Sequence, residues 1–389
     1  MQIYLDYSAT TPPDPAVVAT MQRQALTGWG NPSSLHHWGE RGALAVEMAR
    51  WQVAQLIQAP SPETIVFTSG GTEANNLAIF GVAHGYDRPQ HLIISAVEHD
   101  AIAAPARQLE ARGWQLTVLP VDPTGWVNPF DLVAALRPNT VLVSMIYGQS
   151  EVGTIQAIAD LAQITHRHGA LFHTDAVQVV GRLPVDVQGL GVDLLSLSGH
   201  KFYGPQGSGA LYVRPGVALV PLLAGGGQEG KLRSGTQAVP TLAGLGVAAA
   251  LAAERLAAES KRLGELRDRL LSQLRHNPHL LPTGNFNHRL PHHLSFVLKD
   301  VPPTLTGREL VRQMNLAGIA ISAGSACHSG QAAPSPVLTA MGYGARQAQT
   351  GIRFSLGRET MAADVDWVAM VLEQVLGRAI ASHLAPVAG

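Results

Sequence analysis

Short apolar runs alternate with longer stretches of helical spacing between about residue 60 and residue 215. Several of the runs are continuously apolar, which is typical of buried parallel strands. They predict strands at Thr64–Thr68, His91–Ser95, Gln115–Pro120, Thr140–Met145, Ala170–Asp175, Asp193–Ser196 and Gly209–Val213. Helical patterns between them include Glu73–Val82, Ala101–Arg112 and Ile158–His168. This alternation predicts an α/β domain with a mostly parallel sheet.

The pattern changes after Gly225–Gly227. Ala, Leu, Glu and Arg recur at helical spacing from Leu242 to Leu274, which predicts one long connecting helix. Beyond it we predict strands at His293–Val297, Ile319–Ser322 and Gly351–Ser355, and helices at Arg308–Leu316 and Ala363–Leu376. We therefore divide the chain into a large α/β domain at residues 15–258 and a smaller α+β domain that combines residues 1–14 with 259–389.

Composition narrows the class of protein. The chain has 389 residues, of which 46% are hydrophobic and 14% charged, with a net charge of −1. No basic field exists to attract nucleic acid or an anionic membrane. The N-terminus lacks a secretory pattern, and Glu254 and Arg255 end the most apolar stretch, Leu242–Ala253, short of a membrane span. We expect a cytoplasmic protein.

Cys327 is the only cysteine. It cannot form an internal disulfide or build a cysteine metal site alone. Its residue type leaves two interpretations open, an inert buried thiol or a reactive one. The paired histidines lack acidic or cysteine partners at metal spacing, so we expect no metal site.

Two glycine-rich segments suggest a site for an anionic cofactor. Ser69–Asn76 (SGGTEANN) follows a predicted strand and opens a helix, where glycines and unpaired N–H groups favour an anion. The same residues are also typical of an ordinary N-terminal helix cap. Ser196–Arg214 contains Lys201 in a turn of small residues, with Ser198 and His200 close before it. A partly desolvated lysine of this kind can form a Schiff base, although an exposed loop lysine is the simpler alternative.

Two further side chains lie at predicted strand ends. Asp175 closes an apolar strand in FHTDAVQ, and ligands of open α/β sheets bind outside such ends. A carboxylate there can pair with a protonated pyridine nitrogen, and Gln178 can reach the same place. His99 in AVEHDAI follows another strand and can stack on a flat ring or move protons. A helix cap and a structural histidine are the competing interpretations.

These motifs together resemble the NifS/IscS-type cysteine desulfurases, which use pyridoxal 5′-phosphate (PLP) and belong to the class-V aminotransferases of PLP fold type I. The similarity runs from YLDYSATTP at Tyr4–Pro12 to GIRFSLGRET at Gly351–Thr360. The resemblance implies a PLP-dependent transferase fold and an enzyme that converts L-cysteine to L-alanine, passing the sulfur to an enzyme cysteine as a persulfide for iron–sulfur cluster assembly. It also implies a homodimer and an iron–sulfur scaffold or other sulfur-acceptor protein as partner.

The resemblance also implies a role for each matching residue. Lys201 would bind PLP covalently, His99 would stack over the ring, and Asp175 would pair with the ring nitrogen. The other cofactor contacts would come from Gly71, Thr72, Gln178, Ser198, His200 and, from the neighbouring subunit, Thr236. Arg353 would bind the substrate carboxylate, with Asn31 as a weaker candidate. Cys327, in SAGSACHSGQAAPS, matches the sulfur-accepting cysteine, which favours the reactive interpretation of this thiol.

Three segments depart from the family pattern. Gln149-Ser150-Glu151 stands where the family has Asn-Asn-Glu, so Ser150 takes the place of an asparagine that contacts the ring. GGGQEGK replaces GGGHERG, and the cysteine loop reads GQAAPS where polar residues are commoner. We expect altered ring tuning and partner docking.

Other activities on this fold remain open. A selenocysteine lyase or a cystine or cysteine C–S lyase would use the same cofactor, but a lyase does not need Cys327. An aminotransferase would need a second half-reaction with a keto acid, and no sequence feature indicates one. A non-enzymatic scaffold would have no reason to keep this set of residues: Lys201, Asp175, His99, Arg353 and Cys327.

Overall fold

The computed structural model describes residues 2–324 and 333–384 of the chain. Its strands, in chain order, are β1 (Ile3–Tyr4), β2 (Ile65–Thr68), β3 (His91–Ser95), β4 (Gln115–Leu119), β5 (Thr140–Ile146), β6 (Leu171–Asp175), β7 (Leu194–Ser198), β8 (Gly209–Val213), β9 (Leu280–Pro282), β10 (His293–Leu298), β11 (Ile319–Ala320) and β12 (Ile352–Ser355). The large sheet has the order β2-β8-β7-β6-β5-β3-β4. Strand β8 runs antiparallel to both of its neighbours, β2 and β7, and the other pairs in this sheet are parallel. The predicted mixed, mostly parallel sheet is confirmed.

Some of the helices pack on this sheet, and others belong to the second unit of the fold. In chain order they are α1 (Pro15–Thr27), α2 (His37–Leu56), α3 (Gly71–Ala83), α4 (Asp100–Glu110), α5 (Pro129–Ala135), α6 (Ile158–Arg167), α7 (Val187–Leu190), α8 (Val239–Leu274), α9 (Gly307–Leu316), α10 (Pro336–Ala340), α11 (Ala345–Ala348) and α12 (Ala362–Leu384). Local capping sets several starts. Before α1, for example, the Asp14 carboxylate accepts the Ala16 N–H, and Pro15 occupies the first helical position.

Helices cover both faces of the large sheet. Alternate strand residues point to opposite sides, so Ile93 packs into a core shared with α1, α2 and α8. Its neighbours Leu92 and Ile94 pack into a second core with α3 and α4. Burial on both faces explains why these strands read as continuous apolar runs.

A separate core holds the second unit. It joins residues near the N-terminus, such as Leu5, to β10, β12, α9 and α12 through side chains including Phe296 and Phe354. The long helix α8 belongs to both units, since Leu245 lies in the core that contains Ile93 and Leu270 lies in the core of the second unit. The domain boundary at residue 258 falls inside this helix and stays a prediction.

The two smaller sheets place the N-terminal segment beside the second unit. β1 pairs in parallel with β11, and β10 lies between β9 and β12 in an antiparallel sheet. The predicted strand Ile319–Ser322 is longer than β11 because β1 is short. Beyond Ala320 the backbone of Ser322 pairs with Arg353 instead.

Helix α8 is, within the described residues, the one helix long and apolar enough to cross a membrane. Its most apolar 18-residue window has a mean hydropathy of 1.4, and 44% of that window is buried inside the protein. The buried core helix of a soluble protein passes the same test. Its packing against α1 and α2 accounts for its composition.

Two glycines with left-handed backbone angles offer a matched test of packing in the large unit. Gly181 has φ +76°, and an added Cβ would lie 2.5 Å from Cβ of Phe202. Gly191 has φ +68°, and an added Cβ would meet open space. We expect Gly191→Ala to lower the free energy of unfolding by about 1 kcal/mol through backbone strain alone. Gly181→Ala should cost about 3 kcal/mol, since overpacking is added. Equal losses in urea unfolding would contradict this packing.

Candidate active site

A cavity of about 340 Å³ opens at the carboxyl ends of the central parallel strands. Most of the residues predicted from the sequence line it. They are Gly71, Thr72, His99, Ser150, Asp175, Gln178, Ser198, His200, Lys201 and Arg353. The strands β3, β5, β6 and β7 end here side by side, which is why side chains far apart in sequence meet.

Lys201 points its amine into this cavity. It follows β7 in a single helical turn, and Nζ donates to the backbone oxygens of Ser8 at 2.7 Å and Ala9 at 2.9 Å. Gln178 Nε2 donates to the same Ser8 oxygen at 2.9 Å. The N-terminal segment thus holds both predicted residues, and the interpretation of Lys201 as an exposed loop lysine is wrong.

Asp175 closes β6 and is 4% exposed. One carboxylate oxygen, Oδ2, accepts from Asn75 Nδ2 at 2.7 Å, and Oδ1 accepts from the Val177 N–H at 3.0 Å. The carboxylate is therefore held at both oxygens inside the cavity wall. The sequence analysis identified Asp175 but not Asn75, which lies in the same glycine-rich motif as Gly71.

The two histidines at the cavity have different surroundings. His99 is the N-cap of α4, and its Nδ1 accepts the Ala101 N–H at 3.0 Å, so Nε2 is the nitrogen that carries a proton. His200 Nδ1 lies 3.1 Å from Thr10 Oγ1. Burial, and then the nearby charge of Lys201, lower the pKa of His200 to about 4. His200 is therefore a neutral hydrogen-bonding group at neutral pH.

The N-terminus of α3 forms a small anion-binding wall. Gly71 begins the helix, and an added Cβ there would lie 2.6 Å from Val177 Cγ2. Thr72 is exposed beside it, and Ser198 at the end of β7 is buried. Unpaired N–H groups of a helix start, together with hydroxyls, suit a phosphate.

Arg353 lies on β12, and only 3% of it is exposed. Nη2 donates to Asp6 Oδ1 at 2.6 Å, and Nη1 donates to the Ser150 backbone oxygen at 2.9 Å. Nε is buried and has no hydrogen-bond partner in the described part of the chain. The guanidinium is thus fixed at the cavity by these two hydrogen bonds, and its planar cationic group suits an incoming carboxylate.

Glu98 is a buried acid at the cavity that the sequence analysis missed. Oε1 accepts from Ser95 Oγ at 2.6 Å and from the Ile146 N–H at 2.8 Å. Oε2 is buried without a partner among the described residues. Burial raises the pKa of Glu98 to about 8, and the negative charge of Asp175 adds to the shift. Its position beside His99, past the end of β3, was the available signal.

Two predicted residues lie outside the cavity lining, and a third lies outside the described residues. Asn31 is exposed and uses its side-chain oxygen to accept the Ser33 N–H at 3.0 Å, and it does not line the cavity. Thr236 is exposed in the loop before α8 and also lies outside the cavity lining. Cys327 lies outside the described residues. The roles predicted for these three stay predictions.

The cavity fits PLP by the chemistry of its walls. An amine, a buried carboxylate and a helix start with hydroxyls match an aldehyde, a pyridine nitrogen and a phosphate. Buried oxygens of Asn75 and Glu98 have no partner among the described residues, as expected where a polar molecule binds. No cluster that could hold a metal ion is found in residues 2–324 or 333–384.

Comparisons with known proteins agree with this assignment. The model of the class-V aminotransferase family matches residues 3–368. A cysteine desulfurase IscS from Dictyoglomus turgidum is 43% identical over 377 residues, covering 96% of this chain and 94% of that protein. A solved NifS-like protein has a TM-score of 0.90 at 35% identity, covering 97% of this chain and 100% of its own. SspA, solved in complex with cysteine, has a TM-score of 0.81 at 34% identity, covering 92% and 99%.

The buried acid gives a prediction for stability against pH. Folding raises the pKa of Glu98 from 4.5 to about 8, so the folded protein keeps a proton that the unfolded chain releases. The contribution of Glu98 to stability is therefore complete below pH 4.5 and is lost as pH rises to about 8. The full loss is on the order of 4 kcal/mol.

We therefore expect Glu98→Gln to become more stable relative to the unchanged protein as pH rises from 5 to 8. Urea unfolding at several pH values measures the difference. A difference between the two proteins that stays constant with pH would show that Glu98 titrates normally.

Proposed function

Because the chain belongs to the class-V aminotransferase family, we propose that it is a cysteine desulfurase, a PLP-dependent transferase that takes sulfur from L-cysteine and releases L-alanine. The observation that carries this proposal is the placement of the Lys201 amine in one cavity with Asp175. Similarity to proteins named cysteine desulfurase over nearly the whole chain supports the choice of reaction.

The cavity residues divide the work of holding PLP. Lys201 would provide the covalent link, and Asp175 would keep the proton on the ring nitrogen. The ring and phosphate would be held by residues that line the cavity: His99, Gln178, Ser150, Gly71, Thr72, Ser198 and His200. When bound, PLP draws electrons from the substrate's α-carbon. The side chain of Ser150 is shorter than the family's asparagine, while its backbone oxygen already accepts from Arg353.

Two residues act on the substrate amino acid. Arg353 binds the substrate carboxylate, and its pairing with Asp6 keeps the guanidinium oriented before the substrate arrives. Lys201, once released from its covalent link, removes the proton from the α-carbon. Its hydrogen bonds to Ser8 and Ala9 keep the amine at one place in the cavity. Asn31 remains a secondary candidate for the carboxylate.

Cys327 is the proposed sulfur acceptor. Its thiolate attacks the substrate sulfur, so an S–S bond forms as the carbon–sulfur bond breaks, and the electron pair stays with the carbon. Protonation of that β-carbon, and return of the proton from Lys201 to the α-carbon, give alanine, and the persulfide remains on Cys327. An iron–sulfur scaffold or another sulfur-acceptor protein then takes the sulfur, in keeping with the name of the similar IscS protein.

A selenocysteine lyase or a cystine or cysteine C–S lyase is the alternative on the same fold. Such an enzyme releases its product without an enzyme persulfide. The dependence of turnover on Cys327 therefore separates the two functions.

We also propose that the enzyme is a cytoplasmic homodimer. Large apolar side chains are exposed along α2, including Leu44 at 71% and Met48 at 56%, and Trp38 and Trp51 are exposed on the same helix. A second copy of the chain would cover such a face. Thr236 is exposed and away from the cavity of its own chain, which suits a contact with the cofactor of the neighbouring subunit.

Replacement of Cys327 tests the reaction. We expect Cys327→Ala to bind PLP with its normal absorbance but to form no persulfide, with alanine production lowered at least 100-fold. The measurement combines alanine release from L-cysteine with mass spectrometry of the protein. Ser325→Ala, a similar change in the same segment, should keep full activity. Unchanged alanine and sulfide release by Cys327→Ala would favour the lyase.

Charge on the apolar face of α2 tests the dimer. We expect Leu44→Arg combined with Met48→Arg to shift the protein from dimer to monomer in light scattering, because a buried unpaired charge opposes association. Phe130→Arg is the matched control, since Phe130 is 80% exposed on α5. A double variant that remains dimeric would remove α2 from the proposed interface.

A further inference from the structure

Asn75 makes the side-chain contact that orients Asp175. It is 1% exposed on the inner face of α3, and its Nδ2 donates to Asp175 Oδ2 at 2.7 Å. The other oxygen of Asp175 accepts a backbone N–H from Val177. Because that second contact belongs to the turn after β6 itself, Asn75 is the link between the carboxylate and another element.

The same helix carries the residues assigned to the phosphate. Gly71 and Thr72 open α3, and Asn75 lies one turn further along the same helix. A rise of 1.5 Å per residue puts four residues about 6 Å apart along the axis. One rigid element thus sets the separation between the anion-binding wall and the carboxylate that faces the ring nitrogen.

Packing alone does not explain an amide at this position. Asn75 Oδ1 is buried and lacks a hydrogen-bond partner within the described part of the chain, and an unsatisfied buried acceptor is unfavourable for folding. An apolar side chain would avoid that cost. The amide is nevertheless aimed at the cavity wall and at Asp175.

The charges near Asn75 also favour an amide over a carboxylic acid at this position. Glu98 and Asp175 are both buried at the same cavity, and the negative charge of Asp175 contributes to the raised pKa of Glu98. An amide donates a hydrogen bond to Asp175 without adding a third carboxyl group. It therefore orients the Asp175 carboxylate without adding a negative charge at the cavity.

We propose that Asn75 is a positioning residue for the reaction. It holds the Asp175 carboxylate at a fixed distance from the anion-binding wall at the N-terminus of α3. This inference rests on the proposed role of Asp175 toward the ring nitrogen. Asn75 acts through Asp175 and shapes PLP binding and the protonation of the bound cofactor.

The test compares Asn75→Ala with Asn76→Ala in the full-length protein. Asn76 lies next on the same helix, but its Nδ2 donates to the Thr72 backbone oxygen at 2.8 Å and does not contact Asp175. PLP is removed and returned by titration to obtain its dissociation constant, and the absorbance of the loaded protein is followed against pH. We expect Asn75→Ala to weaken PLP binding at least tenfold, about 1.4 kcal/mol, and to shift the pH of the absorbance change.

Loss of kcat should exceed any change in KM for Asn75→Ala, while Asn76→Ala stays within twofold of the unchanged protein in every measurement. Asn75→Asp keeps the shape of the side chain and tests the charge if the alanine variant does not fold. It should bind PLP more weakly still, because a third carboxyl group joins Glu98 and Asp175.

A double variant separates this inference from the proposed site. In an Asp175→Asn background, Asn75→Ala should cause no further loss of PLP affinity, since its effect passes through the carboxylate. Normal PLP affinity and absorbance for Asn75→Ala, or full additivity with Asp175→Asn, would overturn the positioning role. Normal PLP binding by Asp175→Asn alone would instead overturn the proposed site itself.

Discussion

The contact between the Lys201 amine and the backbone oxygens of Ser8 and Ala9 determines the rest of the site. It brings the N-terminal segment, which pairs with β11 through β1, to the end of β7 in the large sheet. The cavity therefore has walls from both units of the fold, and the amine is turned inward.

Buried charges are costly unless they are paired, and in this site similar ionisable groups have different surroundings. Asp175 receives two hydrogen bonds and faces the cavity, whereas burial favours the neutral form of Glu98. His200 is kept neutral beside Lys201. Arg353 is balanced by Asp6. Because these groups are paired or neutral, few uncompensated charges remain in the cavity to interact with PLP and the substrate.

Sequence reasoning located most of the sheet because strands buried on both faces leave continuous apolar runs, and the residue at the end of each run was a good guide to the cavity. It missed Asn75 and Glu98, since a helix face and a buried acid are defined by neighbours distant in sequence. The partner of Arg353, Asp6, lies 347 positions away along the chain and had no local signal. The roles of Thr236 and Asn31 were predicted by resemblance, and within a single chain neither residue lines the cavity.

The central claim is that one lysine binds the cofactor, and chemical trapping tests it directly. Borohydride reduction of the PLP-loaded protein, followed by peptide mass spectrometry, should place the phosphopyridoxyl mass on the peptide that contains Lys201. The other lysines, Lys231, Lys261 and Lys299, provide internal controls and should remain unmodified. The modification of one of these instead of Lys201, or of no lysine at all, would contradict the account.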